Sequence, residues 1–445
     1  MSSPAPALAR VSYVSYLALV FPFVISTLTT PLLGAVDTAL VGHLPDPAFI
    51  GGVAIGAVIF STLYWLFGFL RVSTTGFTAQ ALDDPRLLTS ALFRPLLMAV
   101  VIGLAFVALQ YPIFSASMAL LKPDAAVRQH AHDFFFILIW GAPFTLVNYV
   151  CLGWLMGRLK TRAVLLNQIG INVLNMVLAL WFVRGLEWGV PGIAGATLIA
   201  QISGTLLGLR LIHRYLTPNK AAMSPSALLS WREFKAIMMV NGDLMLRTVC
   251  LLVVTNHFVA TGASFGTEML AANAVLFQIH YLMAYLFDGF ANASSVFSGR
   301  ARGANDADHF RQTLRYSALS TLWMSGLLAL LWAWQGDSVI GWFTHQGEIV
   351  ALCQRYSLWL MVFPLCGAAG IIFYGVFTGI TYTAPVRNSM LLALMAWFVA
   401  WYFLVPVYGN HGLWLAYLAF SLGRSGFLLL WLPGASRRLS HVHAL

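Results

Sequence analysis

The sequence predicts an all-α integral membrane protein: twelve transmembrane helices in two six-helix lobes related by pseudo-two-fold symmetry. Three observations predict it. Hydrophobic residues fill 60% of the 445 positions and charged residues only 9%, a balance foreign to soluble globular domains. Apolar runs long enough to cross the hydrocarbon core recur along the whole chain. One polar connector then divides these runs into two sets of six.

The first set falls at 12–42, 49–79, 88–114, 130–156, 161–183 and 190–215. The second falls at 234–261, 267–298, 310–334, 350–380, 384–407 and 411–434. Several runs exceed the roughly 20 residues a bilayer requires, so those helices tilt or project. Residues 216–233, Leu216-TPNKAAMSPSALLSWRE, bring Pro, Ser and Lys together and read as a cytoplasmic linker between lobes 1–215 and 234–445. The halves echo each other: Gly51-GVAIGAVIF resembles Ala271-ANAVLFQIH, and Gly76-FTAQALDDPRLLTSALFR resembles Gly299-RARGANDADHFRQTLRYS. With six spans in each, both halves enter the membrane the same way, so their symmetry axis runs along the membrane normal.

Charge sets the orientation. Arg10, Arg86, Arg94, Arg158, Lys160, Arg162, Arg210, Arg214, Lys220, Arg232, Lys235, Arg300, Arg302, Arg311, Arg315, Arg387, Arg437 and Arg438 fall on one set of alternating loops and termini. The other set holds Lys122, Arg128, Arg184 and Arg355. Both termini are therefore expected in the cytoplasm of a multi-pass inner-membrane protein. The net charge of +10 is then a topology signal, and no nucleic-acid partner is implied. The first span is too long for a cleavable signal peptide. Cys151, Cys250, Cys353 and Cys366 all lie in spans and read as small buried hydrophobes rather than disulfides.

Few polar side chains remain inside the spans. Asp37 is the foremost. A carboxylate in hydrocarbon must be protonated, paired or turned toward a wet cavity. Pro22 and Pro31 precede it and free the carbonyls of Ala18 and Thr27, so the first span is able to bend. Asn148, Asn167, Asn172, Asn175, Thr197 and Gln201 could join Asp37 around a hydrophilic pocket, or could bond helix to helix. In the second half Asp243 and Arg247, one turn apart, are expected to form an intrahelical ion pair with a structural or gating role. Asp288 is the second ionisable candidate, and Arg71 and Arg424 are possible partners for a carboxylate. His130, His132 and Asp133 do not converge on one helix face, so no metal site is expected there. Asp83-Asp84 has no second acidic motif, and no Gly-rich phosphate loop with Lys is present.

These residues carry a family resemblance. Pro22 through Leu44, Gly51-GVAIG, Leu70-RVSTTGFTAQA, Gly153-WLMG, Asn172 with Asn175, Asn241-GDLMLRT, Asp288-GFA, Ser298-G and Arg387-NSM, in that order, resemble the DinF branch of the MATE (multidrug and toxic compound extrusion) transporters. The resemblance runs from about residue 15 to about 430. It implies two six-helix lobes in a V and export of small amphipathic compounds against H⁺ or Na⁺, with no other cofactor and no obligate protein partner. It also implies that Asp37 is the ion-coupling residue, with Asn148, Asn175 and Thr197 beside it and Pro22 as the bend. Relatives often carry an acid where this chain has Ala179, and others where it has Ser295 and Tyr374. Asp37 is thus left nearly alone, which favours protons over sodium. Two other readings stay open: a flippase of lipid-linked oligosaccharides from the same superfamily, and a membrane-embedded enzyme.

Overall fold

A computed structural model describes residues 12–41, 47–216, 219, 223–224 and 230–440; side chains at 30–47 and 439–440 lie outside that description. The described residues form α1 (Tyr13–Val41), α2 (Pro47–Leu66), α3 (Phe69–Ala81), α4 (Pro85–Ala108), α5 (Gln110–Leu121), α6 (Ala125–Leu138), α7 (Ala142–Gly157), α8 (Thr161–Leu180) and α9 (Gly189–Tyr215). After the linker come α10 (Trp231–Ala263), α11 (Thr267–Ala304), α12 (Ala307–Phe343), α13 (Gly347–Gly379), α14 (Ala384–Tyr408), α15 (Asn410–Leu429) and α16 (Leu432–Ser440). Among the described residues, eleven stretches are long and apolar enough to cross a membrane, and Tyr13–Thr29 adds a shorter apolar helix.

The spans follow the apolar runs, with local breaks. α2 and α3 make one span, Ala48–Ala81, interrupted near Gly68, and α6 and α7 make another around a 3₁₀ turn at Ile139–Gly141. The run expected at 88–114 divides into α4 and α5 at Leu109. Helix starts are capped by carboxylates that accept from exposed backbone N–H groups. Asp84 accepts from Arg86 N at 2.8 Å and Leu87 N at 3.2 Å, and Pro85 follows at the first helical position. Asp306 accepts from His309 N at 2.9 Å at the start of α12.

The chain forms two compact units. One comprises the chain up to Thr27 together with Met238–Leu445; the other is Leu28–Ile237. α1 therefore contributes its first half to one unit and its second half to the other. Within the first of these units, Thr27 Oγ1 donates to Tyr285 O at 3.1 Å, and Tyr16 OH and Ser294 Oγ are hydrogen-bonded at 2.8 Å. Gly289 of α11 lets the backbone of α1 approach: a β-carbon there would press on Val24 N and Cα at 2.9 Å.

Each unit repeats one helix crossing. In Leu28–Ile237, Gly153 and Gly157 seat α7 on α3, because β-carbons at those positions would meet Arg71 O and Thr75 O. In the other unit, Gly375 and Gly379 seat α13 on α11, where β-carbons would meet Ala291 O and Ser295 O. Both are G-x-x-x-G pairs, which bring helix backbones into contact. This crossing matches Thr75 with Ser295 and Thr78 with Ser298. The echo of Gly51 in Ala271 keeps that register; the pairing of Gly76 with Gly299 is out by three residues. The reason is length, since α11 runs to Ala304 whereas α3 stops at Ala81.

Candidate functional site

In the unit Leu28–Ile237 the amides singled out in the sequence, with Thr197, lie on α7, α8 and α9. Apolar surroundings make each buried amide seek a partner. Asn175 Nδ2 donates to Thr197 Oγ1 at 3.3 Å, and Thr197 Oγ1 donates to Ile193 O at 3.0 Å. Asn167 Nδ2 donates to Gly204 O at 2.7 Å. Gly208 leaves room between Asn167 and Asn148: a β-carbon there would stand 3.1 Å from Asn167 Nδ2 and 3.2 Å from Asn148 Oδ1. Gln201 is accommodated by the bare Cα of Gly141.

These amides keep acceptor capacity. Asn148 Oδ1, Asn167 Oδ1, Asn175 Oδ1 and Gln201 Oε1 are buried and have no hydrogen-bond partner among the described residues. The oxygens lie in two layers. Asn167 and Asn175 are eight residues apart on α8, about 12 Å at the helical rise, so Asn148 sits with the first and Thr197 with the second. The backbone at Asp37, four residues from the end of α1, belongs to this same unit. The side chains of Asp37 and Pro31 lie outside the described residues. Pro22 is half-buried within α1, and Ala179 is fully buried.

The other unit departs from the sequence expectation. Asp243 and Arg247 do not pair. Asp243 instead accepts from Arg387 Nη1 at 2.8 Å and from Thr383 Oγ1 at 2.8 Å, both at the start of α14. Arg247 turns to the ring of Tyr374 on α13, 3.9 Å from its centroid. A guanidinium from α14 fits the carboxylate, and the aromatic face takes the displaced cation. Asp288 is half-buried beside Gly289. Arg94, counted above as a loop charge, is buried in α4 and paired with Glu233.

Sequence reasoning missed a polar seam in this unit. Tyr417 OH and His280 Nε2 are hydrogen-bonded at 2.8 Å with both residues buried. Asn273 and Asn410 exchange amide bonds at 2.7 and 3.0 Å, and Trp414 Nε1 donates to Asn273 Oδ1 at 3.0 Å. The repeat was the available signal, because it aligns Tyr417 with Thr197 and Trp397 with Asn175. In the first turns of α6, His130 packs on Phe49, and His132 Nδ1 lies 3.3 Å from Asp133 Oδ1. No cluster able to hold a metal occurs among the described residues.

Comparison with known proteins agrees with this architecture. The MatE family profile matches residues 22–181 and 244–402, one stretch in each half. DNA damage-inducible protein F of Escherichia coli (strain K12) is 37% identical over 409 residues, covering 90% of this chain and 88% of the relative. A probable multidrug resistance protein NorM of Photorhabdus laumondii is 22% identical, with 85% of each chain covered. A solved structure described as MATE in the bent conformation superposes with a TM-score of 0.87 at 20% identity, covering 97% of this chain and 96% of that one.

Proposed function

The chain belongs to the MATE family of transporters, which are not enzymes, and from that premise we propose that it is a proton-coupled antiporter exporting amphipathic or cationic compounds across the bacterial inner membrane. The distribution of Arg and Lys supports a cytoplasmic location for both termini. The observation that carries the proton assignment is the arrangement of oxygens in the unit Leu28–Ile237. Asp37 and Asp133 are the carboxylates within its predicted spans, and Asp133 stands in the first turn of the run 130–156, beside His132. The buried amide oxygens of Asn148, Asn167, Asn175 and Gln201 are spread over two layers instead of converging on a point. A dehydrated sodium ion needs several oxygens in one shell, whereas a proton needs a single carboxylate and neutralises it.

The chemistry then follows in order. With Asp37 ionised, a charge in an apolar unit draws on the amide and hydroxyl dipoles of Asn175 and Thr197 and on water. A proton arriving from outside removes that charge, and the dipoles are free to pair with each other. Pro22 leaves the carbonyl of Ala18 without its helical donor, so α1 bends at low cost as its polar contacts change. Substrate and proton need not touch; each need only favour a different state.

The test is transport in proteoliposomes with imposed gradients. Export should follow a pH gradient and persist without sodium, and Asp37→Asn should abolish the dependence on pH. Wild-type behaviour of Asp37→Asn overturns the assignment, and a strict sodium requirement replaces the ion. Asp288→Asn should lose only part of the activity.

A further inference from the structure

Between the Asn175–Thr197 layer and the Asn148–Asn167 layer of the unit Leu28–Ile237 stands a set of polar groups drawn from three helices. The Tyr64 hydroxyl of α2 faces Thr145 of α7 and Gln201 of α9. Tyr64 OH, Thr145 Oγ1 and Gln201 Oε1 are all buried, and none has a hydrogen-bond partner among the described residues. The backbone makes room for this meeting, since Gln201 Oε1 occupies the place that a β-carbon of Gly141 would take. Thr205, the next hydroxyl along α9, is already committed to Phe144 O at 2.6 Å. Tyr149 of α7 is the other titratable group acting on Tyr64, and no carboxylate or cation does so among the described residues.

Oxygens left unpaired in apolar surroundings carry a desolvation cost, which one trapped water with three polar partners removes. The trio also completes a ladder. Along α9, Gln201 comes one turn after Thr197, which holds Asn175, and one turn before Gly204, whose carbonyl holds Asn167. Along α7, Thr145 comes one turn before Asn148. Steps of three or four residues rise about 5–6 Å, the span that one water bridges between two polar groups. Asn148, Asn167 and Asn175 each keep a carbonyl oxygen without a partner. The ladder has a direction. α9 ends in Arg210 and Arg214, on the side that charge assigns to the cytoplasm, and Asp37 stands four residues from the outer end of α1. From Thr197 to Asn167 the ladder therefore descends from the outer half of the membrane toward the cytoplasm. Water and hydroxyl groups both donate and accept, so Tyr64 and Thr145 are able to relay a proton; the Gln201 carbonyl only accepts, and positions the water.

We propose that Tyr64, Thr145 and Gln201 hold water between the amide layers, and that this water file passes the proton of Asp37 to the cytoplasm. The Asp37 carboxyl gives its proton to a neighbouring water, and each oxygen in turn accepts one proton and releases another. The proposal rests on the proton-antiport reading, but the water is tested apart from transport. The first experiment is X-ray hydroxyl-radical footprinting of the full-length protein in nanodiscs, read by mass spectrometry. Radicals form on trapped water, so Tyr64 should oxidise at least five-fold faster than Tyr16, a fully buried tyrosine whose hydroxyl is held by Ser294. Gln201→Leu should bring Tyr64 down to the Tyr16 rate and leave the exposed Tyr111 unchanged. The second experiment is export from proteoliposomes under an imposed pH gradient. Thr145→Val and Tyr64→Phe should each slow export at least five-fold and at least two-fold further in D₂O, while Thr145→Ser, which keeps the hydroxyl, should restore the rate. Tyr64 oxidation as slow as that of Tyr16 overturns the proposal, as does wild-type export by both Thr145→Val and Tyr64→Phe. Slow export that Thr145→Ser does not restore also overturns it, and assigns these residues to packing alone. An Asp37→Asn protein that keeps fast Tyr64 oxidation and loses its gradient dependence supports both readings. One that keeps the oxidation and the gradient dependence overturns the antiport reading and the proton route together, and leaves only the trapped water.

Discussion

The two compact units share a scaffold and differ in what lines it. α7 crosses α3 through Gly153 and Gly157, and α13 crosses α11 through Gly375 and Gly379, against backbone at equivalent positions. On that common frame one unit places Asn175 on Thr197 at 3.3 Å. The other places Trp397 against Tyr417, with ring centroids 6.4 Å apart and nearly perpendicular. Asn148 in the first corresponds to Gly370 in the second, and Gly204 corresponds to Arg424. One unit thus offers unpaired amide oxygens, and the other offers rings and guanidinium groups. Sequence repeats of this kind preserve close backbone contacts, where any added atom clashes, and release the side chains that face a cavity. Division of labour follows from that freedom.

The largest expected effect breaks the shared part. Gly375→Val drives a branched side chain into the Ala291 carbonyl, and Gly153→Val does the same at Arg71. Each should cost upwards of 4 kcal/mol and yield little folded protein. Fluorescence-detected size-exclusion of detergent extracts reads the outcome; a monodisperse Gly375→Val peak at wild-type abundance shows that the crossing is looser than described.

Next come the changes that separate the units. Asn175→Leu fills the polar layer with an apolar side chain of similar size, removes the amide that donates to Thr197 Oγ1 while leaving the Thr197 bond to Ile193 O, and removes an acceptor. Gradient-driven export should fall at least ten-fold while the protein stays folded. Trp397→Phe at the corresponding position keeps a ring and loses the indole donor to His257, a bond of 3.3 Å. That change should cost about 1 kcal/mol of stability and leave proton dependence intact. If Trp397→Phe alters the pH profile and Asn175→Leu does not, the assignment of roles to the two units is reversed.

Much of this was legible in the sequence. Span positions followed from apolar length alone, whereas the caps at Asp84 and Asp306 came only with the structure. Long-range pairing was not legible. Spacing of one turn speaks only for neighbours on one helix, so it suggested Asp243 with Arg247 and was blind to Arg387 arriving from α14. Arg94 looked like a loop charge because it stands close to a span end, where a long side chain is able to turn inward and reach Glu233. The His280–Tyr417 bond was invisible for the same reason: neither residue is unusual until the fold brings them together. Asp37 was legible as a liability in hydrocarbon, which is a chemical argument that needs no partner.

The smallest expected effect sharpens the comparison at its edges. The two caps occupy corresponding places, Asp84 before α4 and Asp306 before α12. Asp84 accepts two backbone N–H bonds and Asp306 accepts one. Replacing either by Ala exposes helix-terminal donors, at about 1 kcal/mol each. Asp84→Ala should lose more than Asp306→Ala by a few tenths, because Pro85 fixes the first turn in place and leaves the remaining donors fewer alternatives. Thermal unfolding of the two single variants and the double variant checks this, and the losses should add, since the caps belong to separate units. A double variant losing much less than the sum would show that the two units do not unfold independently at these ends.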